Sequence, residues 1–177
     1  AVAWSPDGRR FATARRGGLV RVWSMPSNVA ETTTLPGIGL VAMSRNGDLV
    51  ASRGTSHRDL GPTHTRVYST KDGKALGPPL HLNAKVRNAV FSPDGTRLAI
   101  ATGDPWAVVL RDWHNAAESS PAFSLMSEPR GIDFSPDGKT VAVLCAGGEI
   151  VLLDSGNGKE QASWSNEVEH FPAFQYV

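Results

Sequence analysis

Short apolar stretches alternate with tight turns along the whole chain, and no stretch shows the spacing of an amphipathic helix. The clearest case is Val90–Ala99, where the apolar pair Val90-Phe91 is followed by Ser-Pro-Asp-Gly and then by a second apolar pair. Proline presets φ for a turn, aspartate or asparagine can accept hydrogen bonds from the nearby backbone, and glycine adopts the positive φ that closes a hairpin. The pattern therefore predicts a strand, a tight turn and a second strand. Related patterns occur at Ala3–Gly8, Ala42–Gly47 and Asp133–Gly138.

The turns recur at a regular interval, which sets the architecture. Their serines, Ser5, Ser44, Ser92 and Ser135, lie 39, 48 and 43 residues apart. This period is typical of four-stranded propeller blades. We therefore predict an all-β fold, a β-propeller arc of four four-stranded antiparallel blades. The expected blades span about 1–36, 37–83, 84–127 and 128–166, and 167–177 forms the first strand of a fifth blade.

Both ends of the chain interrupt the repeat at nearly the same point. The chain has no initiator methionine and starts inside a strand pattern, so we expect a segment of a longer polypeptide and of a larger propeller of about seven blades. Closure by four blades is the alternative. In an open arc the two end blades would each leave one sheet face uncovered, and we expect the isolated segment to self-associate through these faces.

Two strands predict that the middle of the array is covered on both sides. Leu98–Ala101 and Val141–Ala146 lack the alternation of apolar and polar residues that a half-exposed strand shows. A sheet between two others has both faces buried, which explains such continuous apolar runs. The second unit differs from the others because 53–64 replaces a short link between its second and third strands.

The composition excludes several classes of function. Lys plus Arg total 18 and Asp plus Glu total 17, a net charge of +1, which argues against a general nucleic-acid or membrane-surface protein. No apolar run approaches the length of a membrane span. Cys145 is the only cysteine, so an internal disulfide is excluded, and its apolar setting predicts a buried core residue.

Further motifs resemble a known family. The strand-Ser-Pro-Asp-Gly pattern, the third strand Val20–Ser24 (VRVWS) and the linker Asp72–Leu80 (DGKALGPPL) resemble bacterial WD40-repeat proteins. The resemblance implies a propeller that acts as a non-catalytic scaffold and presents loops to a protein or peptide. TolB-like propellers also carry Ser-Pro-Asp-Gly. They leave open an alternative in which the blades position or gate a neighbouring catalytic or transport domain.

The hydrogen-bond network that the resemblance implies is incomplete here. In the family it joins a His, a Ser or Thr, an Asp and a Trp within one blade. The first unit keeps Thr13 and Trp23 but has Gly17 in place of the aspartate. The third unit offers His81, Thr102 and Asp104 without the tryptophan, and the fourth keeps Asp154 after Leu153.

No motif for catalysis or cofactor binding survives inspection. Gly37–Ala42 (GIGLVA) matches a dinucleotide-binding fingerprint, but a strand follows instead of the helix that would hold a pyrophosphate. His57, Asp59 and His64 share one loop, and we interpret them as solvated residues because no further ligand cluster accompanies them. The repeated serines form turns. We predict no enzyme activity, no cofactor and no metal.

One surface of the predicted propeller is locally basic. Turns between second and third strands, and links from each blade to the next, lie on one face of a propeller. Our candidate binding residues on this face are Arg15, Arg16, Arg53, His57, Arg58, Lys85, Arg87 and Trp106. Their positive charges would complement an acidic protein or peptide. Tryptophan and arginine are also enriched at binding hot spots. Ordinary solvated loop charges are the alternative interpretation.

Overall fold

A computed structural model describes residues 2–5, 7–14, 20–25, 32–35, 39–53, 64–82, 84–115 and 121–165. All regular structure in these ranges is β, arranged as four four-stranded antiparallel sheets with the strands of each sheet in chain order. The predicted fold class is confirmed.

The first sheet contains β1 (Val2–Trp4), β2 (Arg10–Ala14), β3 (Val20–Ser24) and β4 (Thr32–Leu35). The second contains β5 (Gly39–Met43), β6 (Leu49–Arg53), β7 (His64–Ser69) and β8 (Ala75–His81). The third contains β9 (Lys85–Phe91), β10 (Arg97–Gly103), β11 (Ala107–Asp112) and β12 (Phe123–Ser124), and the fourth β13 (Pro129–Phe134), β14 (Thr140–Cys145), β15 (Ile150–Asp154) and β16 (Glu160–Trp164).

The four repeated turns have one geometry. In the third sheet Gly95 takes φ of +75°, its N–H donates to the Ser92 carbonyl at 2.8 Å, and the Ser92 N–H donates to the Arg97 carbonyl at 2.9 Å. The Ser92 hydroxyl donates to Asp94 Oδ1 at 2.5 Å, and the same oxygen accepts the Thr96 N–H at 3.0 Å. The serines are therefore structural turn residues, as predicted.

The core consists of three layers, one between each pair of neighbouring sheets. Val50 on β6 packs towards the first sheet with Val20 and Val22, whereas the next residue, Ala51, packs towards the third sheet. On β10, Ile100 likewise faces the second sheet and Ala99 the fourth. Because successive residues of a strand point to opposite faces, burial on both sides explains the unbroken apolar runs.

The sheets are packed in chain order around their first strands. Strand β9 contacts both β5 and β13, and β1 contacts β5. No comparable contact joins β1 to β13 within the described ranges. The four sheets thus form an open arc and not a closed four-bladed ring.

Hydrogen bonds connect neighbouring sheets beside the repeated turns. Arg10 at the start of β2 donates to the Gly47 carbonyl at 3.1 Å and to the Thr70 hydroxyl at 2.8 Å in the second sheet. Arg97 at the start of β10 makes the equivalent contact, donating to the Ser155 carbonyl at 2.5 Å in the fourth sheet. Apolar packing replaces this contact between the second and third sheets, where the equivalent residue of β6 is a leucine that packs in the core layer containing Trp113.

Each end of the arc leaves an apolar sheet face exposed. On the first sheet Trp4 is 55% exposed and contacts the ring of Phe11 at a tilt of 34°, and Phe11 stacks against Trp23. On the fourth sheet Leu144 is 46% and Trp164 55% exposed. The apolar run of β14 is therefore covered on one face only by the described residues, unlike that of β10, because no further described sheet packs beyond it.

Candidate functional site

The two edges of the sheets carry different chemistry. The Ser-Pro-Asp-Gly turns share one side, since Asp7, Asn46 and Asp94 from three sheets line a single groove there. The opposite side, which we call the loop face, holds the links between second and third strands and from each sheet to the next. Of the candidate binding residues, the structure describes Arg53, Lys85, Arg87 and Trp106. On this side of the sheets, Arg53 ends β6, Lys85 begins β9, Arg87 is the third residue of β9 and Trp106 lies in the β10–β11 turn. Arg15, Arg16, His57 and Arg58 lie outside the described residues.

Arg87 occupies a β-bulge in the third sheet. Its neighbours pair in register, Asn88 with Ala101 and Val86 with Thr102, so Arg87 is the extra residue. A bulge redirects the side chain of the strand residue that it contains. The redirected side chain lies against Gly103, where a Cβ atom would come within 2.5 Å of Arg87 Nε. Glycine at this position therefore makes room for the arginine.

The guanidinium of Arg87 reaches the link that leads into the fourth sheet. Its Nη2 lies 3.2 Å from Glu128 Oε1, and Arg130 Nη2 lies 3.0 Å from Glu128 Oε2. Arg130 is itself the extra residue of a bulge, because Pro129 pairs with Cys145 and Gly131 with Leu144. Two equivalent bulges thus direct two arginines onto one carboxylate, and the cluster retains a net positive charge.

A groove of about 680 Å³ lies beside this cluster. Trp106 in the β10–β11 turn, 41% exposed, and Met126 in the β12–β13 link, 85% exposed, present large apolar side chains to solvent there. The rest of the lining comprises Arg87, Asp104, Pro105, Ser124 and Leu125. The volume is in the range of protein sites for small ligands or anchoring side chains.

Backbone bonds fix both links around the groove. The Leu125 N–H donates to the Trp106 carbonyl at 2.9 Å, and the Ala146 N–H donates to the Glu128 carbonyl at 2.7 Å. The Ser127 hydroxyl donates to the Ala146 carbonyl at 2.7 Å. Met126 is therefore held outwards on a link that is anchored on each side of it.

The histidines of the second sheet do not form a metal site within the described chain. His64 and His81 pair across β7 and β8 with ring centroids 5.8 Å apart. Burial, assisted by the charges of His81 and Arg66, lowers the pKa of His64, which favours its neutral form. No group of three or more His, Cys, Asp or Glu side chains among the described residues could hold a metal ion. His57 and Asp59, which share a loop with His64 in the sequence, are outside those residues.

The turn face offers a groove of about 380 Å³, but turn structure already accounts for its polar groups. A hydrogen bond from Ser5, followed by the Arg9 N–H, lowers the pKa of Asp7. The pKa values of Asp94 and Asp137 are lowered in the same way, first by hydrogen bonds from Ser92 and Ser135. These shifted pKa values reflect turn stabilisation rather than catalysis.

One part of the hydrogen-bond network implied by the WD40 resemblance is present. Trp23 Nε1 donates to Thr13 Oγ1 at 3.0 Å in the first sheet. In the third sheet Thr102 instead donates to the carbonyls of Pro105 and Ala107, at 3.0 and 3.2 Å, and so supports the turn that carries Trp106. In the fourth, Asp154 accepts the Gly156 and Asn157 N–H groups at 2.9 and 3.0 Å.

Three residues of the groove region were not among the sequence candidates, namely Met126, Glu128 and Arg130. The topological rule that selected Lys85 and Arg87 also places the β12–β13 link on the loop face, so Met126 and Glu128 could have been found from the sequence. The bulge that directs Arg130 towards Glu128 could not, because register depends on pairing with β14.

Comparisons with known proteins agree with the fold. The family model described as WD domain, G-beta repeat matches residues 1–24, which include β1 to β3 and the Trp23–Thr13 pair. A WD repeat-containing protein, AAC3 of Dictyostelium discoideum, is 27% identical to the chain over 129 residues, covering 59% of this chain and 26% of the relative. The chain thus spans about a quarter of that relative's length. These similarities support the WD40 resemblance. No helix in the described part of the chain is long and apolar enough to cross a membrane.

Proposed function

We propose that this chain is a segment of a WD40-type propeller that acts as a non-catalytic scaffold and binds a protein or peptide partner through its loop face. The observation that carries this proposal is the exposure of Trp106 and Met126 beside a net positive cluster on that face. Aromatic, methionine and arginine side chains are enriched at protein interfaces. Similarity to WD repeat proteins, which in general act as interaction scaffolds, agrees with it.

The candidate binding residues extend the proposal along the loop face. Lys85 is exposed two residues before Arg87, and Arg53 ends β6 at the same edge. In the sequence, Arg15 and Arg16 fall between β2 and β3, and His57 and Arg58 fall between β6 and β7, so we propose the same face for them. We propose that together they attract an acidic partner, since a local basic patch steers a complementary one.

A capture experiment with matched charge reversals tests the scaffold function. The loop-face variant combines Arg53→Glu, Lys85→Glu and Arg87→Glu, and the control combines Arg9→Glu, Arg45→Glu and Lys139→Glu on the turn face, where these residues are exposed. Proteins retained by the immobilised chain and its variants are identified by mass spectrometry. We expect the loop-face variant to lose proteins that the control retains.

The same net charge in both variants separates a specific surface from general electrostatics. Equal loss of the same proteins by both would reject the loop face as the binding surface, as would unchanged retention by the loop-face variant. A second variant, combining Arg15→Glu, Arg16→Glu and Arg58→Glu, tests the remaining candidates in the same assay.

We further propose that the four sheets are part of a larger ring of about seven blades, with blade limits near 1–36, 37–83, 84–127 and 128–166 and a fifth blade starting in 167–177. The open ends of the arc support this, because Trp4 and Trp164 expose apolar surface that a neighbouring sheet would cover. The isolated segment should then self-associate. Sedimentation of the purified chain that gave only a monomer over a wide concentration range would contradict this expectation.

A further inference from the structure

We propose that the groove between the Trp106 turn and the Met126 link binds an extended peptide segment in which an apolar side chain lies next to a carboxylate. The inference rests on the proposed scaffold function and specifies its partner chemistry. It concerns one groove of the third sheet and its border with the fourth, not the loop face as a whole.

The apolar half of this specificity comes from two exposed side chains. Trp106 and Met126 stand on opposite links of the groove, and the backbone bond between Leu125 and Trp106 holds the links together. Covering a large apolar side chain that is exposed to water is favourable. Methionine also adapts its shape to the side chain that it contacts. A leucine, methionine or aromatic residue therefore suits the space between them.

The acidic half comes from the arginine cluster. Arg87 and Arg130 share the single carboxylate of Glu128, so two guanidiniums face one negative charge. Each guanidinium has five N–H donors, and a carboxylate that is shared between two guanidiniums cannot accept hydrogen bonds from all of them. A carboxylate of the peptide would therefore find unused donors on the Arg87 side of the groove.

Asp104 sets the orientation of the peptide. This residue is exposed at the wall formed by the β10–β11 turn, and its own charge disfavours a carboxylate there. The acidic residue is thus directed to the Arg87 wall, and the apolar residue lies between the two walls. A peptide that places a lysine or arginine at the Arg87 wall is rejected by like-charge repulsion.

Gly103 supplies a test that leaves every charge in place. Its missing Cβ allows Arg87 to lie across β10, and the Gly103→Ala methyl group would meet Arg87 Nε at 2.5 Å. The Arg87 side chain must then shift, and we expect the position of its guanidinium at the groove to change. If Arg87 acts through its position, binding should fall although the net charge is unchanged.

The experiment uses an array of synthetic dodecapeptides with a glycine–serine frame, in which leucine or phenylalanine is placed next to glutamate, lysine or serine. The labelled chain should retain apolar–glutamate peptides about tenfold better than apolar–lysine peptides. Trp106→Ala and Met126→Ala should each lower retention of the apolar–glutamate peptides, and Gly103→Ala should lose most of the preference for glutamate over lysine, whereas Arg9→Ala on the turn face should change neither. Urea unfolding of each variant verifies that the fold is intact. If Trp106→Ala fails to fold, Trp106→Phe replaces it, because the smaller ring should still reduce retention of the leucine peptides.

The outcomes separate this groove from the general proposal. If loop-face charge reversal abolishes capture but the array shows no preference for glutamate, the groove assignment is wrong and the scaffold function stands. The same holds if Gly103→Ala leaves that preference unchanged or if Met126→Ala leaves retention unchanged. If neither capture nor array depends on the loop face, both are wrong. Lower retention in Trp106→Ala and Met126→Ala, together with loss of the glutamate preference in Gly103→Ala, supports the inference.

Discussion

Arg10 of the first sheet donates a hydrogen bond to the hydroxyl of Thr70 in the second sheet, across 2.8 Å. The same hydroxyl donates to the Gly47 carbonyl at 2.8 Å, so the arginine binds a turn whose geometry is fixed within the neighbouring sheet. Arg97 and Ser155 repeat this relationship between the third and fourth sheets, where Ser155 donates to the Gly138 carbonyl at 2.6 Å. The first and second sheets, and the third and fourth, are therefore held by polar contacts in addition to their apolar layers.

Replacing Arg10 by alanine should weaken the joint between the first two sheets. The change removes bonds to Gly47, Asp48 and Thr70, and we expect the free energy of unfolding to fall by about 1 to 2 kcal/mol. Urea denaturation followed by tryptophan fluorescence measures the change. The matched control is Arg9→Ala, an exposed neighbour, which should change stability by less than about 0.5 kcal/mol. Equal losses in the two variants would show that the contact between sheets contributes nothing.

Two turn glycines separate backbone strain from packing between sheets. Gly8 and Gly47 have φ of +68° and +73°, so alanine should cost each about 1 kcal/mol through the left-handed conformation alone. A Cβ at Gly47 would also lie 2.9 Å from Ser5 Cβ of the first sheet, whereas one at Gly8 would meet nothing within 4 Å. We expect Gly47→Ala to be more destabilising than Gly8→Ala by about 1 kcal/mol or more in urea unfolding. The same loss at both positions would contradict the close approach of the two sheets.

The turn aspartates should make stability depend on acid pH. Hydrogen bonds from Ser92 and Thr96 hold the pKa of Asp94 below its usual value, so its ionised form stabilises the fold above the unfolded-state pKa. This stabilisation decreases as the pH falls from about 5 and is lost below the folded-state pKa. The second repeat already has Asn46 at this position, with the Ser44 hydroxyl 2.8 Å from its Oδ1. Asp94→Asn should therefore fold and should lose less stability than the unmodified chain between about pH 6 and pH 3. Parallel pH profiles for both would argue against the contribution of this carboxylate.

Cys145 should be unreactive in the folded protein. The residue is buried in the layer between the third and fourth sheets, and burial, assisted by the Glu149 carboxylate, raises the pKa of its thiol. The thiolate is the reactive form, so alkylation by iodoacetamide should be at least about tenfold slower in buffer than in urea. The signal is unambiguous because the chain has one cysteine. Rapid labelling under native conditions would mean that the fourth sheet opens readily.

The sequence was sufficient for the local architecture because turn chemistry is a local property. Glycine at the positive-φ position and aspartate or asparagine two residues after serine specify each hairpin without reference to the rest of the chain. The period then predicted four four-stranded sheets, and the described residues contain four such sheets. The last strand of the third sheet, β12, has two residues, which leaves Met126 outside the sheet.

What the amino-acid sequence determined by itself was therefore the succession of strands and turns and the side of the sheets on which each link lies. Only the tertiary structure decided which side chains meet. Arg87 and Arg130 reach Glu128 because a bulge in each sheet shifts the register by one residue, and that shift depends on how two strands pair. Contacts between sheets, such as Arg10 with Thr70, likewise join residues 60 positions apart whose approach follows from packing rather than from any local pattern.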